Sequence, residues 1–317
     1  MKSPYIPATD KQREEMLKSI DLASIEELFL SIPKELRLED DLKLPGPLSE
    51  YELKKELLNL TQKNFDATWN TSFLGAGIYD HIIPAAVSHI IGRQEFYTSY
   101  TPYQAEMSQG VLQAIFEYQT MIAELTGMDA SNASVYDGAT ALYEAVLLAT
   151  RYNNRNEVLV ARSVNPEYRK VLSSVLRHSG ITIKEIGFNT KDNSGGTLDM
   201  EKLSEAISDK TSAIVVQSPN FFGILEDIES VSEKAKEVKA LLIAACDPLS
   251  LGVFESPGNL GADIAVGEAQ PLGIPMSFGG PLLGYFAVKK PYIRRMPGRV
   301  AGQTSDTEGR KGYVLTL

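Results

Sequence analysis

A mostly parallel α/β sheet covered by helices is the fold class predicted for this 317-residue chain. From about residue 105 onward, short and nearly unbroken apolar runs recur. Helical segments separate most of them, and polar, glycine-rich stretches follow several of their ends. Strands buried on both faces read as continuous apolar runs, and alternation with helices is the signature of parallel crossover units.

The first third is expected to be helical. Thr9 with Gln12, Ser24 with Glu27, and Ser49 with Glu52 fit the capping-box spacing, and each precedes an amphipathic run such as Tyr51–Leu58. Pro45-Gly46-Pro47 breaks the pattern between them. A long helix then runs through Gly110–Phe116 and stops at Gly127, and a second covers Ala139 to about Asn153. The expected strands are Glu157–Ala161, Ile181–Ile186, Ser212–Val216, Leu241–Ala245 and Ala262–Val266, with helical segments near 166–179, 199–208 and 229–239. Two parts follow: a helical segment with an interface loop over residues 1–104, and an α/β domain over 105–317.

Composition narrows the function. Apolar residues make up 43% of the chain, enough for a buried core. The net charge is −10 with no basic stripe, so a nucleic-acid backbone is a poor partner. No stretch approaches the roughly 18 uncharged apolar residues of a spanning helix, and no membrane association is expected. Cys246 is the single cysteine, and Met1–Pro7 shows no apolar signal region, which together predict a reducing cytoplasm. The three histidines, His81, His89 and His178, lack chelating spacing, so no zinc site is expected.

In an open α/β sheet the ligand site lies beyond the carboxyl ends of the strands. Four stretches fall at such places: Val135–Thr140, Gln217–Gly223, Cys246-Asp247-Pro248 and Gly267–Gly273. Asp137-Gly138-Ala139-Thr140 opens a helix whose amides are able to hold an anion, although Asp137 as a simple N-cap is the preferred reading. Walker loops, nucleophile elbows and dinucleotide fingerprints are missing. Glu95–Gly110 crowds three tyrosines with hydroxyl and amide side chains before a helix. By composition it suits an interface or cofactor pocket as well as a buried structural loop.

Phe96–Gly110 resembles the Y-T-x-Y-T-P-Y-Q-x-E-x-S-Q-G signature of the glycine decarboxylase P-protein family. Val135–Ala141, Gln217–Gly223, Gly273–Pro281 and Met296–Val300 are also similar to that family, in the same order along the chain. The length resembles subunit 1 of the two-subunit form. The resemblance implies an aspartate-aminotransferase-like fold, pyridoxal phosphate fold type I, with a helical segment in front. The family's C-terminal small domain is expected to be missing, since the chain stops mid-motif at Tyr313–Leu317.

That chemistry requires a lysine amine for the Schiff base and an acid beside the pyridine nitrogen. No lysine occurs from Ala240 to Val288, and Gln270 stands where the lysine-bearing sister subunit would carry one. An ungapped comparison puts the sister's ring-nitrogen aspartate on Ile243, with Asp247 nearby. No catalytic residue is therefore expected in this chain, and pyridoxal phosphate is expected on the partner, glycine decarboxylase subunit 2. Tyr97 and Tyr100 are the candidates to reach the partner's cofactor, and Tyr103 and Gln104 to bind substrate. The implied reaction decarboxylates glycine and passes the aminomethyl group to the lipoyl arm of the H-protein. The family often has His before Pro where this chain has Asn165-Pro166, and Asn165 is expected to cap a helix instead. A purely structural partner and a stand-alone pyridoxal-phosphate lyase are the alternatives.

Overall fold

Apolar runs too short for helices and rich in β-branched residues become the strands of one sheet, because only a sheet satisfies their backbone groups while burying both faces. The computed structural model describes residues 5–38, 40, 42–66, 69–96, 101–190 and 195–316. The chain forms two compact units, residues 1–66 and 67–317.

In the first unit, α1 (Asp10–Ser19) and α2 (Glu50–Thr61) both begin with the predicted reciprocal capping boxes, Thr9 with Gln12 and Ser49 with Glu52. The third box does not form. Ser24 makes no side-chain cap, and Ile25–Phe29 is a short 3₁₀ turn. Instead the Glu27 carboxylate accepts from the backbone N–H of Ala23 at 3.2 Å.

In the second unit, α3 (Ala85–Ile91) precedes α4 (Gln109–Thr126), which ends at Gly127 in the left-handed conformation, as predicted. Next come β1 (Ala130–Ser131), α5 (Gly138–Asn153), β2 (Glu157–Ala161), α6 (Pro166–Leu176), β3 (Thr182–Ile186), α7 (Met200–Ala206), β4 (Thr211–Gln217), α8 (Ile228–Glu237), β5 (Leu241–Ala245), β6 (Ile264–Glu268) and β7 (Gly284–Val288). A hairpin, β8 (Val300–Ser305) with β9 (Lys311–Thr316), follows. Among the described residues the main sheet runs in the order β1-β7-β6-β5-β4-β2-β3. Its β3-β2-β4-β5-β6 portion is parallel, and β7 is antiparallel to both neighbours.

The core is the sheet itself and the inner face of α5. Val158–Ala161, Ala213–Val216, Leu241–Ala245 and Ile264–Val266 are all buried. Ala141, Leu142, Ala145, Val146, Leu148 and Ala149 supply the matching face at helical spacing. Small residues there let α5 lie close to β4–β7.

The strand predicted at 262–266 begins two residues later. Ala262 donates its N–H to Pro257 and Asp263 accepts the Leu242 N–H at 2.9 Å, so both are held in the entry turn. Gly267 and Glu268 therefore complete β6, and a carboxylate ends the strand. β7 was not predicted, nor were β1 and the hairpin. Tyr285, Phe286, Ala287 and Val288 of β7 are fully buried, since β7 lies between β6 and β1. Among the described residues no helix is long and apolar enough to cross a membrane.

β7 begins at a close approach. A Cβ built on Gly284 would lie 2.3 Å from the carbonyl oxygen of Asp137. Gly284 also exchanges both backbone hydrogen bonds with Val135, at 2.9 and 3.0 Å. Gly284→Ala should therefore cost about 1–3 kcal/mol as an overpacked site, read as a lowered urea midpoint at unchanged slope. An unaltered midpoint would rule out this backbone contact.

Candidate functional site

β4, β5 and β6 end at one edge of the sheet, and a cavity of about 200 Å³ opens there. Gln217 lines it from the end of β4, Cys246 and Asp247 from beyond β5, and Glu268 and Gln270 from the end of β6. Tyr79, His81, Asn165 and Tyr168 close the remaining sides. This is the position expected for a ligand in such a sheet. Three of the four stretches singled out in the sequence contribute to it.

Asn165 holds two walls together. Its Oδ1 accepts the Glu167 N–H at 2.9 Å, the predicted cap of α6. Its Nδ2 donates to the Ala76 carbonyl at 2.8 Å, and its own N–H donates to Gln217 Oε1 at 2.7 Å. The Gln217–Gly223 loop is fixed from within. Asn220 Nδ2 donates to Glu226 Oε1 at 2.8 Å, and Asn220 Oδ1 accepts from Phe222 N–H at 2.9 Å.

Gln270, at the position expected to replace the family lysine, is 3% exposed. Its side-chain amide donates to the Ile274 carbonyl, and its backbone N–H donates to Glu268 Oε1 at 3.0 Å. Glu268 also accepts from Leu283 N–H at 2.8 Å through the same oxygen, and from Gly138 N–H at 3.1 Å through Oε2. Tyr168 stands against Gly138, where a Cβ would fall 2.1 Å from its hydroxyl. Burial, with the nearby carboxylates of Glu268, Asp137 and Asp247, pushes the ionisation of Tyr168 upward, so it remains a phenol.

Ile243 is not a site position. It is fully buried in mid-β5, paired with Val215 and Ile264. A side chain there is enclosed by the sheet and its covering helices, and has no path to the cavity. The acid that does line the cavity is Asp247, four residues later and just past the strand end. Glu268 went unnoticed in the sequence. Its signal was an acidic residue closing an otherwise apolar strand.

Tyr97 and Tyr100 fall outside the described residues. Tyr103 and Gln104 are exposed and do not line the cavity. Tyr103 meets Arg299 instead: the guanidinium sits 4.3 Å from the ring centroid, and Arg299 donates to the tyrosine hydroxyl. Thr101, Pro102, Val135, Tyr136, Pro297 and Arg299 line a surface groove of about 620 Å³. Three stretches distant in sequence, around residues 101, 135 and 297, thus meet at one surface. Asp137 caps α5 by accepting the Thr140 N–H at 2.6 Å, as preferred from sequence.

The family model of the glycine cleavage system P-protein matches residues 3–317. The chain belongs to the glycine cleavage system P-protein family. It is 54% identical over 313 residues to a protein of Carboxydothermus hydrogenoformans named "Probable glycine dehydrogenase (decarboxylating) subunit 1", covering 99% of this chain and 69% of that relative. A crystal structure of glycine decarboxylase (P-protein), in inhibitor-bound form, superposes with a TM-score of 0.87 at 47% identity, covering 99% of this chain and 69% of that one. A Thermus thermophilus aspartate aminotransferase variant superposes with a TM-score of 0.50 at 20% identity over 70% of this chain and 60% of that one. That likeness is one of fold and agrees with the aminotransferase-like architecture expected of the P-protein family.

The P-protein cavity contains the only cysteine of the chain, which allows a clean chemical probe. Cys246 is 4% exposed, and burial pushes its thiol up to about 12. The thiolate is the nucleophile. Native protein should therefore resist alkylation through pH 9 and react fully once unfolded by urea, as read by mass. Rapid native labelling at pH 8 would contradict the closed cavity wall.

Proposed function

We propose that this chain is the first subunit of a two-subunit glycine decarboxylase and that pyridoxal phosphate is held by its partner. The relatives' names, with a numbered subunit, support a partner chain of complementary role. The cofactor's attachment does not fit the residues present. The residue at the lysine position is Gln270, whose amide is not nucleophilic and is already given to the Ile274 carbonyl. Among the described residues no lysine lines the cavity. The reading rests on that observation above all: the carboxyl edge of the sheet keeps the shape of a ligand site, while its amine is replaced by a buried, bonded amide.

On this reading the reaction is glycine decarboxylation with transfer of the aminomethyl group to the lipoyl arm of the H-protein. The chemistry of carbanion stabilisation belongs to the cofactor on the partner. This chain's share is orientation and exclusion of water at the shared surface. Tyr103 and Gln104 would contact substrate there, with Tyr97 and Tyr100 reaching the partner's cofactor. Arg299 holds the Tyr103 ring and hydroxyl in a fixed direction, and Pro102 and Pro297 stiffen the two stretches that carry the pair. The single buried thiol is in keeping with a reducing cytoplasm.

Glycine–bicarbonate exchange tests the assignment. The isolated chain should show none, and the reconstituted complex with the lysine-bearing subunit and H-protein should show it. Robust exchange by the chain alone would sink the two-subunit reading. Tyr103→Phe keeps the ring beneath Arg299 and removes only the hydroxyl. A hydrogen bond to a charged group contributes about 1.5–3 kcal/mol, roughly tenfold to hundredfold in rate when it is felt in the transition state. Exchange should fall by that order while melting and co-elution with the partner stay unchanged. Wild-type exchange in Tyr103→Phe would favour a purely structural partner.

A further inference from the structure

The amino end of α5 meets the end of β6 at the carboxyl edge of the sheet, behind the cavity-lining Glu268. Its first N–H groups have no partner within the helix, and its dipole favours negative charge, so such an end readily takes a ligand anion. In this chain both a cap and a second carboxylate already occupy it. Asp137 accepts the Thr140 N–H at 2.6 Å. Glu268, arriving from the end of β6, accepts the Gly138 N–H at 3.1 Å.

Glu268 is not a chance neighbour. Its second oxygen accepts two more backbone N–H groups, from Gln270 at 3.0 Å and Leu283 at 2.8 Å. One carboxylate thereby satisfies donors from the α5 end, from the turn after β6 and from the approach to β7. Tyr168 fills the space on Gly138 so closely that even a methyl group would collide with its hydroxyl. Gln270 is buried with its amide already bonded. A phosphate group entering here would have to displace Glu268, strand the Gln270 and Leu283 N–H groups, and stand beside two like charges.

We propose that Glu268 is a built-in anion that occupies the phosphate-accepting end of α5 and closes this chain's own cavity to phosphate-bearing ligands, pyridoxal phosphate included. The proposal rests on the reading that the cofactor belongs to the partner, and gives a physical reason why it does not also settle here. Loss of the lysine alone removes covalent attachment. Occupation of the α5 end by Glu268 removes the non-covalent site as well.

The test uses the full chain, with inorganic phosphate and pyridoxal phosphate as separate probes and chloride of equal ionic strength as control. Melting of the wild type should be the same in phosphate and chloride. Glu268→Ala should melt lower in chloride, and phosphate should restore part of that loss with saturable dependence. The apparent phosphate affinity should be at least tenfold tighter than for the wild type, and pyridoxal phosphate should act likewise. If Glu268→Ala fails to fold, Glu268→Ser, which also withdraws the side chain from the α5 end, should show the same phosphate-specific gain. A wild type stabilised by phosphate as strongly as the variants, or variants indifferent to both probes, would overturn the proposal. Inorganic phosphate has no aldehyde, so its result is independent of where the cofactor lysine lies. That question is decided separately by exchange in the reconstituted complex.

Discussion

The carboxylate of Glu268 ties three backbone segments that would otherwise end in unpaired donors. Hydrogen bonds to an ionised acceptor are among the stronger ones in proteins, and a desolvated N–H left without a partner costs about 1–3 kcal/mol. Gly138, Gln270 and Leu283 all depend on this one side chain. Through Gly138 it fixes the start of α5, and through Leu283 it fixes the approach to β7. Through Gln270 it fixes the turn that follows β6. The close packing of Gly284 against Asp137 and of Gly138 against Tyr168 follows from that arrangement, because only glycine leaves room for the backbones to meet there.

Two surfaces share this scaffold. The cavity at the carboxyl edge is lined by Glu268, Gln270 and Asp247. The groove is lined by Val135, Tyr136, Thr140, Leu283 and Arg299. Glu268 belongs to the first and bonds Leu283 of the second. The geometry supports a chain that has kept the aminotransferase-like sheet as a rigid platform while its most distinctive motif, around Tyr103, sits on the groove side.

Sequence showed the parallel strands well and the edges poorly. Glu157–Ala161, Leu241–Ala245 and the run within Thr211–Gln217 are nearly unbroken apolar segments, and only a sheet buried on both faces accounts for them. The antiparallel β7 carries the same kind of run, Gly284–Val288, but it follows a long glycine- and proline-rich stretch and is too short to separate by periodicity from a buried helical turn. Ser24 shows the limit of capping patterns: spacing to Glu27 was right, yet the following five residues close as a 3₁₀ turn and leave no helix to cap. Within the site, the Asn165 cap was legible, because an Asn before Pro is visible one residue at a time. Asp247 was legible as part of the stretch that follows β5, because a strand end followed by Asp-Pro marks the carboxyl edge of the sheet. Glu268 depended on contacts with residues 138 and 283, a separation that no local pattern reports.

On the proposed reading this chain keeps the fold while the cofactor is attached to its partner. Borohydride reduction of the reconstituted two-subunit complex, followed by peptide mapping, tests it most directly, because reduction fixes the pyridoxyl group to whichever lysine holds it. The expected result is a pyridoxyl-lysine on the partner subunit alone, with every lysine of this chain unmodified. A stoichiometric pyridoxyl group on any lysine of this chain would contradict it.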